Sequence, residues 1–239
     1  MGKEEAMKPI RFILAVLLVA ALPFLTGCES SESETASSEP EPKAEEKEAP
    51  PEPLTGKHVV IMETTKGDVT MELDADVAPK TVENFLQYVD RKFYDQTVIH
   101  RIRKNFMVQG GGYQIDTFDT NRLRSKWTRD PIPNESDNGL SNVRGSVAMA
   151  RGEDPSSATS QFFVNVRNNR QLNRDHPKSD GHGYCVFGKV IDGMRVVDEI
   201  SRVSTTEKGS HKYYPAVPIF IKTIRRAPAE TADEEVSGS

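Results

Sequence analysis

Val98-Ile99-His100-Arg101-Ile102-Arg103-Lys104-Asn105-Phe106-Met107-Val108-Gln109-Gly110-Gly111 reads as two short neighbouring strands ending in a tight glycine turn. Side chains alternate along a strand, so Val98, His100 and Ile102 share one face and Arg101 takes the other. Met107 and Gln109 likewise share a face. Phe106 should oppose them unless a strand start or a bulge turns it round. The stretch thus sets a cation, large apolar side chains and an amide side by side, with no nucleophile among them. Gly110-Gly111-Gly112 lacks the spacing of a phosphate-binding loop and reads as a turn.

Outward from this stretch the same short-strand pattern continues. Val59 to Glu63 and Val69 to Leu73 flank a turn at Thr65-Lys66-Gly67, which predicts a hairpin. Further strands are expected over Thr97 to Ile102, Phe106 to Gln109, Ser146 to Ala150, Phe162 to Val166, Cys185 to Val190 and Ile219 to Ile224. Pro79 opens a helix whose Val82, Phe85, Leu86 and Val89 form one apolar stripe, and Met194 to Ile200 predicts a second, shorter helix. Many strands with two helices point to a mainly β fold, a barrel plugged at its ends. The segment from Gln114 to Asp130, with Trp127, fits none of these elements.

Two runs downstream complete a series: Gly145-Ser146-Val147-Ala148-Met149-Ala150-Arg151 and Ser160-Gln161-Phe162-Phe163-Val164-Asn165, followed by Val186-Phe187-Gly188-Lys189-Val190. Taken with the opening stretch, they resemble the cyclophilins from about Lys57 to Ile224, in order and at family spacing. Asn134-Glu135-Ser136-Asp137-Asn138-Gly139-Leu140 and Ala158-Thr159-Ser160-Gln161 look most like the bacterial periplasmic type. The resemblance implies an eight-stranded antiparallel closed β-barrel capped by two α-helices, with a substrate groove on its outer surface. It also implies peptidyl-prolyl cis/trans isomerase activity with no cofactor and no metal.

By that resemblance Arg101 is the catalytic residue. Rotating an X-Pro bond means breaking amide conjugation against a barrier of about 18–20 kcal/mol. In the twisted amide the prolyl nitrogen gains a lone pair, so a fixed guanidinium donating to it stabilises that state over either planar one. Arginine stays charged and offers a rigid fork of donors. The matching positions make Phe106, Met107, Phe163 and Leu172 the socket for the proline ring. Gln109 would hydrogen-bond the substrate backbone, and Ala150, Arg151, Gln161 and Tyr184 would line the adjoining groove. Gln171 stands where many eukaryotic members carry a tryptophan that contacts cyclosporin, and Tyr184 stands for their groove histidine, so weak cyclosporin binding is expected.

The remaining chain is built differently. Lys3, Lys8 and Arg11 precede the apolar run Phe12 to Phe24, which is too short to cross about 30 Å of hydrocarbon as a helix and reads as an export signal over residues 1–27. A start at Met7 would remove Glu4 and Glu5 from the signal's basic region. Leu25-Thr26-Gly27-Cys28 resembles a bacterial lipobox, which implies acyl chains on Cys28 and a membrane anchor. Residues 28–56 carry nine Glu, two Lys and five Pro with few apolar side chains, and read as a disordered acidic tether. The folded domain is expected over 57–227, and 228–239 as a small acidic tail.

With a net charge of -5 concentrated in the tether, nothing points to nucleic acid. A monomer facing the periplasm or exterior, with the outer membrane favoured because Glu29 rather than Asp follows Cys28, is the expected setting. Cys185 reads as a buried inert thiol, and His176, His182 and His211 lack metal-ligand spacing. His100 reads as a buried structural residue, because this reaction transfers no proton; Arg103 and Lys104 read as solvated side chains. The competing reading is a non-catalytic module on the same fold that binds proline peptides or acts as a chaperone. An intact Arg101 favours the enzyme.

Overall fold

The computed structural model describes residues 54–228 apart from position 121. The expected signal segment 1–27, the lipidation site Cys28, most of the tether and most of the tail lie outside the described residues.

The first hairpin, β1 (Lys57–Thr64) and β2 (Gly67–Asp74), pairs antiparallel through its whole length, from Lys57↔Asp74 to Thr64↔Gly67. Alternation buries Val60, Met62, Val69, Met71 and Leu73 on one face. Leu54 packs against this core, and the Gly56 N–H donates to the Asp76 carboxylate at 2.8 Å. Residues 54–56, counted with the tether from sequence, are therefore fastened to the domain.

α1 (Pro79–Asp90) lays Val82, Phe85, Leu86 and Val89 on the core, as the 3.6-residue spacing predicts. Its N-cap, Ala78, has no side chain to satisfy the first amides. Glu135 does so from a distant loop, accepting from Lys80 N at 3.2 Å and from Thr81 N and Oγ1 at 2.8 and 2.7 Å. α2 (Met194–Ser201) buries Val197 and Ile200.

The remaining barrel strands are β3 (Thr97–Val98), β4 (Arg101–Arg103), β5 (Met107–Gly110), β8 (Ser146–Met149), β9 (Phe162–Asn165), β10 (Val186–Asp192) and β13 (Phe220–Arg226). They and the first hairpin form one antiparallel sheet in the order β3-β13-β1-β2-β10-β8-β9-β5-β4. The two end strands, β3 and β4, are successive pieces of one stretch of chain separated only by Ile99-His100. Ile99 N bonds back to Ile219 O at 2.9 Å, and His100 N bonds forward to Gln109 O at 3.1 Å. The single strand expected over Thr97 to Ile102 is thus broken between its two partners. Counted once, it reduces nine strands to eight and lets the sheet curl until its ends meet.

Two small ribbons lie outside the barrel. β6 (Tyr113–Ile115) pairs with β7 (Leu123–Ser125), which accounts for part of the unassigned 114–130 segment. β11 (Thr205–Lys208) pairs with β12 (His211–Pro215), and β12 packs against β4. Inside the barrel, Phe85, Tyr94, Phe162 and Phe187 meet with ring centroids 5.1–5.6 Å apart.

Candidate active site

Strand alternation that fills the barrel also builds a second, smaller apolar cluster outside it. Val108, Met149 and Phe162 point into the core, while their neighbours Met107, Ala148 and Phe163 point outward and are still buried. With Val186 they form a patch against which Phe106, Ala150, Leu172 and Tyr184 pack. Phe106 joins because it precedes β5 rather than belonging to it. The turn of Arg103–Phe106, with Asn105 at φ 55° and Phe106 N bonded to Arg103 O at 3.0 Å, swings the ring onto the Met107 side.

This patch floors a cavity of about 240 Å³ lined by Arg101, Phe106, Met107, Gln109, Ala150, Arg151, Phe163, Leu172 and Tyr184, with Arg103 at its rim. Nine of the ten groove residues anticipated from sequence converge there. The tenth, Gln161, stands one layer behind. Arg101 Nη1 donates to Gln109 Oε1 at 3.2 Å, and Gln109 Nε2 donates to Gln161 Oε1 at 3.0 Å, so the guanidinium is oriented by a chain of amides. Gly112 makes room for this, since a Cβ there would stand 2.5 Å from Gln161 Cγ.

Arg101 is half-buried and takes part in none of the seven ion pairs among the described residues. Burial first, then repulsion from Arg103, lowers its pKa from the ordinary arginine value, yet a guanidinium remains protonated. Its charge, paired with no described carboxylate, stands at the wall of the apolar socket.

Other walls are held by groups that sequence gave no reason to connect. Asn142, Asn165 and Asn169 are almost wholly buried. Asn165 Nδ2 donates to Asn142 Oδ1 (3.1 Å) and Ser146 Oγ (2.9 Å), and Asn169 Nδ2 donates to Asn165 Oδ1 and to the Phe106 carbonyl, both at 2.7 Å. Asn142 Nδ2 reaches the carbonyls of Tyr184 (3.2 Å) and Leu172 (3.4 Å). One amide network therefore ties down the backbones of Phe106 and Leu172 in the socket and of Tyr184 beside it.

Arg151 lines the groove by its stem, but its guanidinium is fully engaged. It pairs with Asp180, donates to the carbonyls of Gly183 (2.9 Å) and Gly152 (3.0 Å), and lies over the Tyr184 ring at 4.7 Å. That hydrogen bond, with help from the His182 and Gly183 N–H groups, holds the Asp180 carboxyl well below the usual carboxylate range. Arg103, expected to be merely solvated, stacks between the rings of Phe106 (5.1 Å) and Tyr213 (5.5 Å). His100 is buried beneath Arg101, and burial, with His211 and Arg101 nearby, pushes its pKa down to about 3.

An antiparallel sheet curled on itself thus carries, on its outer wall, an apolar socket beside a guanidinium that pairs with no described carboxylate. The chain belongs to the cyclophilin type peptidyl-prolyl cis-trans isomerases: the model of the family described as "Cyclophilin type peptidyl-prolyl cis-trans isomerase/CLD" matches residues 59–225. Among curated relatives, "Peptidyl-prolyl cis-trans isomerase B" of Escherichia coli (strain K12) is 43% identical over 166 residues, 70% of this chain and 98% of the relative. The "Peptidyl-prolyl cis-trans isomerase" of Acinetobacter baylyi is 45% identical over 174 residues, 73% of this chain and 88% of that one. The crystal structure of a Cryptosporidium parvum cyclophilin type peptidyl-prolyl cis-trans isomerase is similar with a TM-score of 0.55 at 27% identity, covering 72% of this chain and 99% of that chain. A second structure of that protein, determined in the presence of the dipeptide Ala-Pro, gives 0.54 at 28% identity, covering 71% and 99%. The chain is accordingly an isomerase of X-Pro peptide bonds by family.

Proposed function

We propose that this chain isomerises X-Pro bonds of exported proteins from a lipid anchor on the outer face of a membrane, with Arg101 as its catalytic residue. The observation that carries the reading is the Arg101 guanidinium, unpaired with any described carboxylate and aligned by Gln109 at 3.2 Å beside the socket of Phe106, Met107, Phe163 and Leu172. The proline ring fills the socket, which anchors the bond on one side. As the amide twists, the prolyl nitrogen becomes pyramidal, and Arg101 donates to its lone pair. That bond exists only in the twisted state, so it lowers the barrier rather than deepening the ground state. Gln109 takes the substrate backbone next to Arg101, and the main chain around Ala150 and Arg151 takes the flanking residues. The Ala-Pro dipeptide used with the Cryptosporidium relative supports a proline-containing peptide as the ligand class.

The anchor rests on the order of residue types at Leu25-Thr26-Gly27-Cys28 after an apolar run, and export rests on that same signal. The acidic tether between Cys28 and the domain would give a monomeric domain reach from the membrane surface. Labelled palmitate should enter the wild-type chain in bacteria and be lost in Cys28→Ser.

The test of the enzyme is cis-to-trans conversion of a short X-Pro peptide, wild type beside Arg101→Ala. Turnover should fall by about 10²–10³-fold, the scale of one lost transition-state donor. A folded wild-type chain that protects unfolded clients but does not isomerise the peptide would move the assignment to a binding module.

A further inference from the structure

A second cavity, of about 370 Å³, opens on the other side of the Arg101–Gln109 hydrogen bond from the proline socket. Its floor is Arg101, Gln109 and Gln161, and its far wall is Tyr113 with His211 and Lys212 of the β11–β12 ribbon. Its volume lies in the range of small-ligand sites, roughly 300–1,000 Å³. No element of the reaction described above uses this space.

Among the described residues the charge around it is one-sided. Arg101 and Lys212 line it, Arg103 lines the neighbouring socket, and no described Asp or Glu lines either cavity. Some cations on the described surface are paired, as Arg144 is with Asp198, Arg225 with Glu63 and Arg226 with Asp90. Arg101, Arg103 and Lys212 have no such partner among the described residues. The tyrosine hydroxyl, amide and imidazole groups supply hydrogen-bonding edges around the same space.

We propose that this cavity is a subsite for a carboxylate side chain close to the client proline, so that the chain favours X-Pro segments with a neighbouring Asp or Glu over those with Lys or Arg. The inference rests on the reading of the Arg101 groove as the proline site. A peptide with its ring in the socket and its prolyl nitrogen at Arg101 that extends past Gln109 comes to the second cavity, because the two cavities share both residues. With successive Cα atoms 3.8 Å apart, a side chain one or two residues from the proline reaches the second cavity. There it meets two cations, Arg101 and Lys212, that pair with no described carboxylate.

The experiment uses the full chain and a peptide series, each with one proline and Glu, Gln or Lys placed singly at the two positions on either side. Affinity is read from peptide line shapes, and turnover from exchange between cis and trans signals, at low and high salt. Glu should bind about fivefold to tenfold better than Lys at one of these positions at low salt, a gap that salt narrows. Lys212→Glu should erase or invert the Glu/Lys ratio, whereas Lys104→Glu, the same charge change outside both cavities, should leave most of it. Equal affinities for Glu, Gln and Lys peptides, or equal effects of the two variants, would overturn the subsite. A Glu preference abolished by Lys212→Glu in a chain that turns over none of the peptides would uphold the subsite and overturn the isomerase assignment alone.

Discussion

The Asn169 side-chain amide donates to the Phe106 carbonyl at 2.7 Å, joining a fully buried residue to the one socket ring that stands outside any strand. Phe106 has no other long-range restraint of comparable burial except its carbonyl's second bond from Val166 N at 3.1 Å. Its position over the socket is therefore set by the buried network more than by the sheet.

Asn169→Ala removes the donor to Phe106 and leaves the Asn165 oxygen without its partner. The Phe106 carbonyl keeps its bond from Val166 N, but the stranded Asn165 oxygen costs about 1–3 kcal/mol, and denaturant unfolding should register a loss of that size. Peptide turnover by the still-folded fraction should also drop by about tenfold, because a displaced Phe106 mis-seats the proline against Arg101. Asn169→Ala with wild-type turnover per folded molecule would mean that the strand ends alone hold the socket.

Adjacent glycines should fail in different ways. Gly111 has φ 86°, and a Cβ there would stand 2.9 Å from both Phe162 Cδ1 and the Ser160 carbonyl, so Gly111→Ala combines left-handed strain with overpacking of the core. A thermal midpoint lowered by a loss of about 2–4 kcal/mol is expected. Gly112 carries no positive φ, and the three atoms nearest to its Cβ would all belong to the Gln161 side chain, the first at 2.5 Å. Gly112→Ala should keep near-normal stability but push Gln161 away from Gln109, so that kcat falls while unfolding barely changes.

Much of this site was legible from sequence because strand alternation and motif order agreed. Period-two alternation put Met107 and Gln109 on one face and separated Phe162 from Phe163, and the glycine turn and motif order fixed which strands adjoin. What stayed hidden lacked a local signal. The β6–β7 and β11–β12 ribbons are short and mostly polar, so no apolar alternation marks them, and their register comes from docking on the barrel. Asn142, Asn165 and Asn169 look like ordinary loop and strand-end residues until the fold brings them within 3.1 Å of one another. Arg151 and Asp180 stand 29 residues apart with β9 between them, and no spacing rule links them. Arg103 looked solvated because its two ring partners come from different elements.

Cys185 tests the burial side of the argument. It lies just before β10, is almost wholly buried, and burial pushes its thiol up to about 12. At pH 8 the thiolate population is negligible, so iodoacetamide should leave Cys185 unmodified in the native chain and alkylate it once denaturant is added, as read by peptide mass spectrometry. Rapid alkylation under native conditions would require an opening of the Thr81 and Met149 side of the barrel that this packing excludes.

His100 offers a pH test with a definite sign. Its native pKa of about 3 lies below the ordinary 6.5, chiefly because burial disfavours the cation, with repulsion from His211 and Arg101 adding to it. Below pH 6.5 the unfolded chain takes up a proton that the native one refuses. Stability is therefore fully present above pH 6.5 and declines as the pH falls toward 3, by something on the order of 3 kcal/mol by pH 4. Asp90, Asp180 and Asp198, whose pKa values are lowered by Arg226, Arg151 and Arg144, contribute losses that begin only near their ordinary value of 3.8, so the interval from pH 6.5 to 4 belongs mainly to buried His100, with half-buried His211 beside it. His100→Gln keeps a polar side chain but cannot titrate there. Urea midpoints should fall more steeply between pH 6.5 and 4 for wild type than for His100→Gln, whatever the offset between the two curves. Parallel curves would mean that the native imidazole accepts its proton as readily as the unfolded one, which burial beneath Arg101 and Tyr113 forbids.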